Sequence, residues 1–73
     1  MKNRYRPKPL LTKREREVFE LLVQDKTTKE IAKELFISEK TVRNHISNVI
    51  QKLGVKGRSQ AEIELRRLDE LKL

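Results

Sequence analysis

Apolar positions recur at helical spacing along most of the chain, and nowhere do they alternate with period two for long enough to form a strand. Val18, Leu21 and Leu22, with Phe19 beside them, predict a first helix over about Thr12–Gln24. Ile31, Ala32 and Leu35 predict a second over about Thr27–Leu35. Val42, Ile46, Val49, Ile50 and Leu53 predict a third over about Ser38–Leu53. Ala61, Leu65, Leu68 and Leu71 predict a fourth over about Ser59–Leu71. The expected fold class is all-α with four helices.

Helix boundaries are written in the polar residues between these stripes. Thr12 stands three before Glu15, Thr27 three before Glu30, and Ser59 three before Glu62. Each pair spells a capping box, in which a hydroxyl and a carboxylate satisfy each other's backbone N–H groups. Ser38 is the expected cap of the third helix, and Gly54 its left-handed stop with Val55 packing back. The second helix is too short to hold alone and needs a neighbour. A short helix, a tight turn and a longer helix make the helix-turn-helix pattern. Ala32 suits it, because a small residue lets the next helix cross closely. Phe36 stands where many such turns place glycine, which calls for another turn conformation or for burial of the ring.

Charge changes the picture from a small helical domain to one that meets a polyanion. The 73 residues carry a net charge of +7, and 40% of them are charged. Residues 1–9 hold Lys2, Arg4, Arg6 and Lys8 with two prolines and no acid, and read as a basic flexible arm before a domain of residues 10–73. The other basic excess lies in residues 38–58, whereas residues 59–73 are slightly acidic. Nucleic acid is the first expected partner of so basic a domain. No apolar run is long enough for a membrane span, and no signal core opens the chain. The expected location is the cytoplasm, on the nucleoid. Cysteine is absent and histidine single, so neither a disulfide nor a metal cage is expected.

The third helix carries the candidate chemistry. At ~100° per residue its five apolar residues occupy one stripe, with Lys40, Asn44, Ser47, Asn48 and Gln51 facing away and Arg43 on one flank. A solvated face usually favours good helix formers. This face carries Asn44, Ser47 and Asn48, which form helix less readily, and that favours contact over solvation. Arginine pairs bidentately with guanine and asparagine with adenine, while serine reaches base edges or phosphates. Arg43, Asn44 and Ser47 are therefore candidate base readers. Lys40 reaches either a base or a phosphate. Lys29, Lys56 and Arg58 are candidate phosphate contacts, each of which is also explained by solubility. For His45 two readings stay open, packing at the core's edge and a hydrogen bond to a phosphate.

The stretches "LTKREREV", "EIAKEL", "SEKTVRNHISNVIQKLGV" and "RSQA" together resemble the LuxR/NarL/FixJ-type DNA-binding domain, from Leu11 through the last helix. The resemblance implies a four-helix domain whose third helix enters the major groove of double-stranded DNA. It places base contacts on Arg43, Asn44 and Ser47 with Lys40 nearby. It places phosphate contacts on or near Thr28, Lys29, Thr41 and Lys56, and on His45. It gives Glu17 a structural role, bracing the first helix against the recognition unit. Asp25 stands where many relatives end the first helix with glycine, which leaves the shape of that turn open. Within the family the chain most resembles a stand-alone regulator of late spore-coat genes, whose size it fits; most relatives carry a receiver or ligand-binding domain, none is expected here, and so no small-molecule ligand is expected. The family's fourth helix pairs with its counterpart.

Ile63 adds a second apolar direction to that helix, so a homodimer surface drawn from Ile63, Leu65, Leu68 and Leu71 is expected beside core contacts. A two-fold dimer implies a roughly palindromic site. RNA polymerase is a possible further partner. A module like region 4 of a sigma factor, acting through polymerase, is the alternative reading. An enzyme is not expected, because no nucleophile–base pair, metal cluster or glycine-rich phosphate loop is present, and no cofactor is implied. Single-stranded RNA is a weaker partner, since one tyrosine and two phenylalanines make no stacking platform.

Overall fold

The structure, a computed structural model, describes residues 11–68. Four helices follow one another: α1 (Lys13–Leu22), α2 (Thr28–Leu35), α3 (Glu39–Leu53) and α4 (Arg58–Arg67). No strand occurs among the described residues. The basic arm and Leu71 lie outside them.

The first three starts form as their sequences spell. Thr12 and Thr27 each cap a helix through a complete capping box with Glu15 and Glu30. Ser38 accepts the Thr41 N–H at 3.0 Å and donates its own hydroxyl to Thr41 Oγ1. The fourth start differs from expectation. The cap is Gly57, extended and without a side-chain bond, so α4 begins at Arg58 and the Ser59–Glu62 box does not form. The shift has a local cause. Gln60 Oε1 accepts the Lys56 N–H at 2.9 Å, and this fastens the helix's first turn to the preceding linker two residues earlier than the box would.

The first three helices end alike. Asp25, Phe36 and Gly54 all take positive φ (66°, 59° and 66°). After each, the next residue's N–H returns to a carbonyl five positions back: Lys26 to Leu21, Ile37 to Ala32, Val55 to Ile50. This is the Schellman closure, in which left-handed backbone satisfies the last carbonyls of a helix. Asp25 therefore builds the turn a glycine would build. So does Phe36, which corrects both expectations for it: the turn is the usual one, and the ring is 93% exposed rather than buried.

The core gathers one stripe from each helix. Val18, Phe19 and Leu22 of α1, Ile31 and Ala32 of α2, Val42, Ile46 and Val49 of α3, and Ala61 and Leu65 of α4 are buried together, with Leu11 closing one end. Leu35, Ile37, Ile50, Leu53 and Val55 pack half-buried at its edge. Burial of these stripes is what stabilises helices too short to persist alone. One charged group joins them. Glu15 is 4% exposed, and its Oε1 meets Lys52 Nζ at 2.6 Å. This pair braces α1 against the far end of α3. Glu17, expected in that role, instead pairs locally with Arg14 at 3.0 Å on a half-exposed surface.

Candidate nucleic-acid interface

Burial of Val42, Ile46 and Val49 determines where the rest of α3 points. Lys40, Arg43, Asn44, Ser47, Asn48 and Gln51 are all exposed, as the wheel predicts. Thr41 and His45 lie half-buried on the flank. The Thr41 hydroxyl accepts from Ser38 at 2.9 Å.

Folding brings other elements to this face. A cleft of about 340 Å³ is lined by Thr28, Arg43, Ile46, Ser47 and Arg58. Thr28 is the first residue of α2 and Arg58 the first of α4, so two helix N-termini lie beside the middle of α3. A second cleft, of about 490 Å³, shares Thr28 and Arg58 and is lined further by Leu22, Asp25, Lys26, Thr27, Ser59 and Glu62. Helix N-termini present backbone N–H groups and the positive end of the dipole, which favours anions. At α2 the capping box uses Glu30. At α4 no side chain caps the first N–H groups, and the first turn holds no acid.

Thr28, Arg43, Ser47 and Arg58, four of the residues singled out from sequence, thus meet at one cleft. Lys29, Lys40 and Lys56 are exposed but line neither cleft. Chemically, a bidentate guanidinium, an amide and a hydroxyl project from a rigid helix, with a cation and two helix ends beside them. That set suits a grooved polyanion whose floor carries hydrogen-bonding edges. Among the described residues there is no cluster of groups that could hold a metal ion, and no helix is long and apolar enough to cross a membrane.

Ile63 on α4 (66% exposed) and Leu68 just past its end (44%) face outward. Leu65 does not; it is fully buried in the domain's own core and cannot also meet a partner. The i, i+4, i+7 stripe expected to serve both purposes is divided between them.

Sequence reasoning missed one contact on the exposed face of α3. Glu39, the first residue of α3, lies one turn before Arg43, with Oε1 3.6 Å from Arg43 Nη1. The i,i+4 spacing of acid before base was the available signal.

Comparison with known proteins places this geometry. Residues 9–64 match the family described as bacterial regulatory proteins, luxR family. The chain is 83% identical over 69 residues to the spore germination protein GerE of Bacillus subtilis (strain 168), covering 94% of this chain and 93% of that protein. It is 49% identical over 61 residues to the transcriptional regulatory protein LiaR of the same organism, covering 84% of this chain but 29% of that protein. The solved structure of the transcription factor GerE superposes with a TM-score of 0.85 at 71% identity, covering 86% of this chain and 94% of that one. The response regulator ChrA of a heme-sensing two-component system superposes at 0.80 with 35% identity, over 90% of this chain and 33% of its own.

Proposed function

The chain belongs to the luxR family of bacterial regulatory proteins, and from that premise we propose that α3 reads double-stranded DNA in the major groove through Arg43, Asn44 and Ser47. It is a GerE-like transcription regulator with a helix-turn-helix DNA-binding domain. In the proposed complex Lys40 lies at the groove edge. Thr28, Lys29, Thr41, His45, Lys56 and Arg58 contact phosphates. The single observation that carries this assignment is the cleft where Thr28 and Arg58 flank Arg43 and Ser47. Two helix N-termini beside the proposed readers, that of α4 with no acid in its first turn, put anion-favouring groups where phosphates border a groove.

Two copies bind together, through Ile63 of α4 and Leu68 at its end, with Leu71 beyond the described residues. The site is then roughly palindromic. The regulated genes belong to the spore programme, a reading supported by similarity to the spore germination protein over nearly the whole of both chains. The protein works in the cytoplasm on the nucleoid, has no catalytic turnover of its own, and meets RNA polymerase when bound beside a promoter. The opposing reading, a module that acts only through polymerase, predicts no stable complex with DNA alone. Selection of bound duplexes from a random pool by the purified protein tests this. Recovery of a common palindromic site supports direct readout, and recovery of no sequence preference defeats it.

A further inference from the structure

Glu39 lies in the first turn of the helix proposed to enter a polyanion's groove, where the helix dipole favours an acid but the groove does not, and it is in ion-pair contact with that helix's own arginine. Residues 38–58 hold five bases, and Glu39 is their single acid. Both side chains are substantially exposed, at 44% for Glu39 and 61% for Arg43. An exposed i,i+4 pair biases a conformational population by only about twofold, so the ion pair itself adds little to stability. At a DNA surface the same pair behaves differently.

We propose that Glu39 is a specificity-determining residue that acts through Arg43; the proposal rests on the reading of Arg43 as a base contact. A guanidinium has five N–H donors. With Nη1 turned toward Glu39, Nε and Nη2 remain as a fork that fits O6 and N7 of guanine. On a matching site the ion pair persists while the fork is filled. On a mismatched site the remaining partner for Arg43 is a phosphate. Swinging there abandons Glu39 and leaves its carboxylate unneutralised against the backbone. Glu39 thus penalises the mismatched complex more than the matched one, which is how repulsion creates discrimination.

The test measures Kd for two labelled duplexes, the site recovered by random-pool selection and a scrambled duplex of equal composition, across a salt series. Wild type, Glu39→Gln, Arg43→Ala and the double variant are compared, with circular dichroism confirming that each is folded. Glu39→Gln is expected to tighten the scrambled complex several-fold and the selected one much less, so the ratio of the two falls. The scrambled complex gains about one unit of salt slope as the freed Arg43 takes a phosphate. In the Arg43→Ala background the same change leaves the ratio unaltered. If Arg43→Ala lowers the ratio and Glu39→Gln does not, the role of Glu39 is overturned and base reading by Arg43 stands. If Glu39→Gln lowers the ratio equally without Arg43, Glu39 acts as a bare charge and the coupling is overturned. If Arg43→Ala discriminates as well as wild type, the reading role of Arg43 fails, and this inference with it.

Discussion

Lys52 Nζ lies 2.6 Å from Oε1 of Glu15, joining residues 37 positions apart in the chain. The same carboxylate oxygen accepts the Thr12 N–H at 3.0 Å. One buried group therefore caps α1 and holds the end of α3. Lys52→Met leaves the carboxylate buried without its cation, whereas Glu15→Gln keeps an acceptor for Thr12. Lys52→Met should cost about 2–3 kcal/mol and Glu15→Gln less. Urea midpoints at constant m-value rank the two.

The pH dependence follows from the same site. Burial pushes the Glu15 carboxyl up, but the Lys52 ammonium and the Thr12 N–H together hold it below the usual glutamate value. Its folded state thus favours the ionised form, so its contribution is complete above the ordinary glutamate pKa and fades as pH falls through the lowered one. The stability gap between wild type and Glu15→Gln should be full at neutral pH and shrink in that acid range. Denaturation series at several pH values measure it; a gap that widens in acid contradicts the assignment.

The left-handed helix ends predict opposite results for similar changes. Phe36 holds φ 59° with its ring in solvent, so Phe36→Gly removes strain and loses little burial. It should raise stability by about 1 kcal/mol. Gly54→Ala should lower it by about 1 kcal/mol, although open space surrounds the added methyl, because φ is +66°. Thermal melts of the two variants should move in opposite directions.

Arg43 and Arg58 share a cleft but have different proposed tasks. Arg43→Ala should cost about 1–3 kcal/mol on the selected site and relax preference at one base pair. Arg58→Ala should weaken selected and scrambled duplexes alike and reduce the salt slope by about one. Titrations at several salt concentrations separate the two patterns.

On α4, neighbouring apolar residues should fail differently. Ile63→Asp places charge on an outward face and should shift sedimentation toward monomer while the helical spectrum is kept. Leu65→Ala should cost about 2–5 kcal/mol by opening the core. Sedimentation velocity and urea unfolding on both variants check this division. A dimer untouched by Ile63→Asp refutes the proposed surface.

Features that depend on near neighbours were legible before folding. The Thr12–Glu15 and Thr27–Glu30 boxes, the Ser38 cap and the exposed face of α3 all follow from spacings of three or four residues. The Ser59–Glu62 pair has the same spelling and fails because Gln60 fastens the turn earlier. Spelling does not decide between competing local bonds. Phe36 misled, and Asp25 left its turn open, for another reason: residue type states a preference for backbone conformation, and closure of a packed helix end overrides it. Glu15 was read only as a cap, because nothing local announces a lysine 37 positions away. Leu65 and Ile63 were grouped because periodicity marks apolar directions without saying which one the core takes.

Val42, Ile46 and Val49 are packed to near-complete burial on the same helix whose other side carries Arg43, Asn44 and Ser47. No hinge or spacer separates the two sides. On the proposed reading of α3, a methylene gained or lost beneath the helix therefore shifts the residues above it, and an interior change that never touches DNA retunes which site is preferred. Melting temperature and target choice are, on that proposal, inherited together.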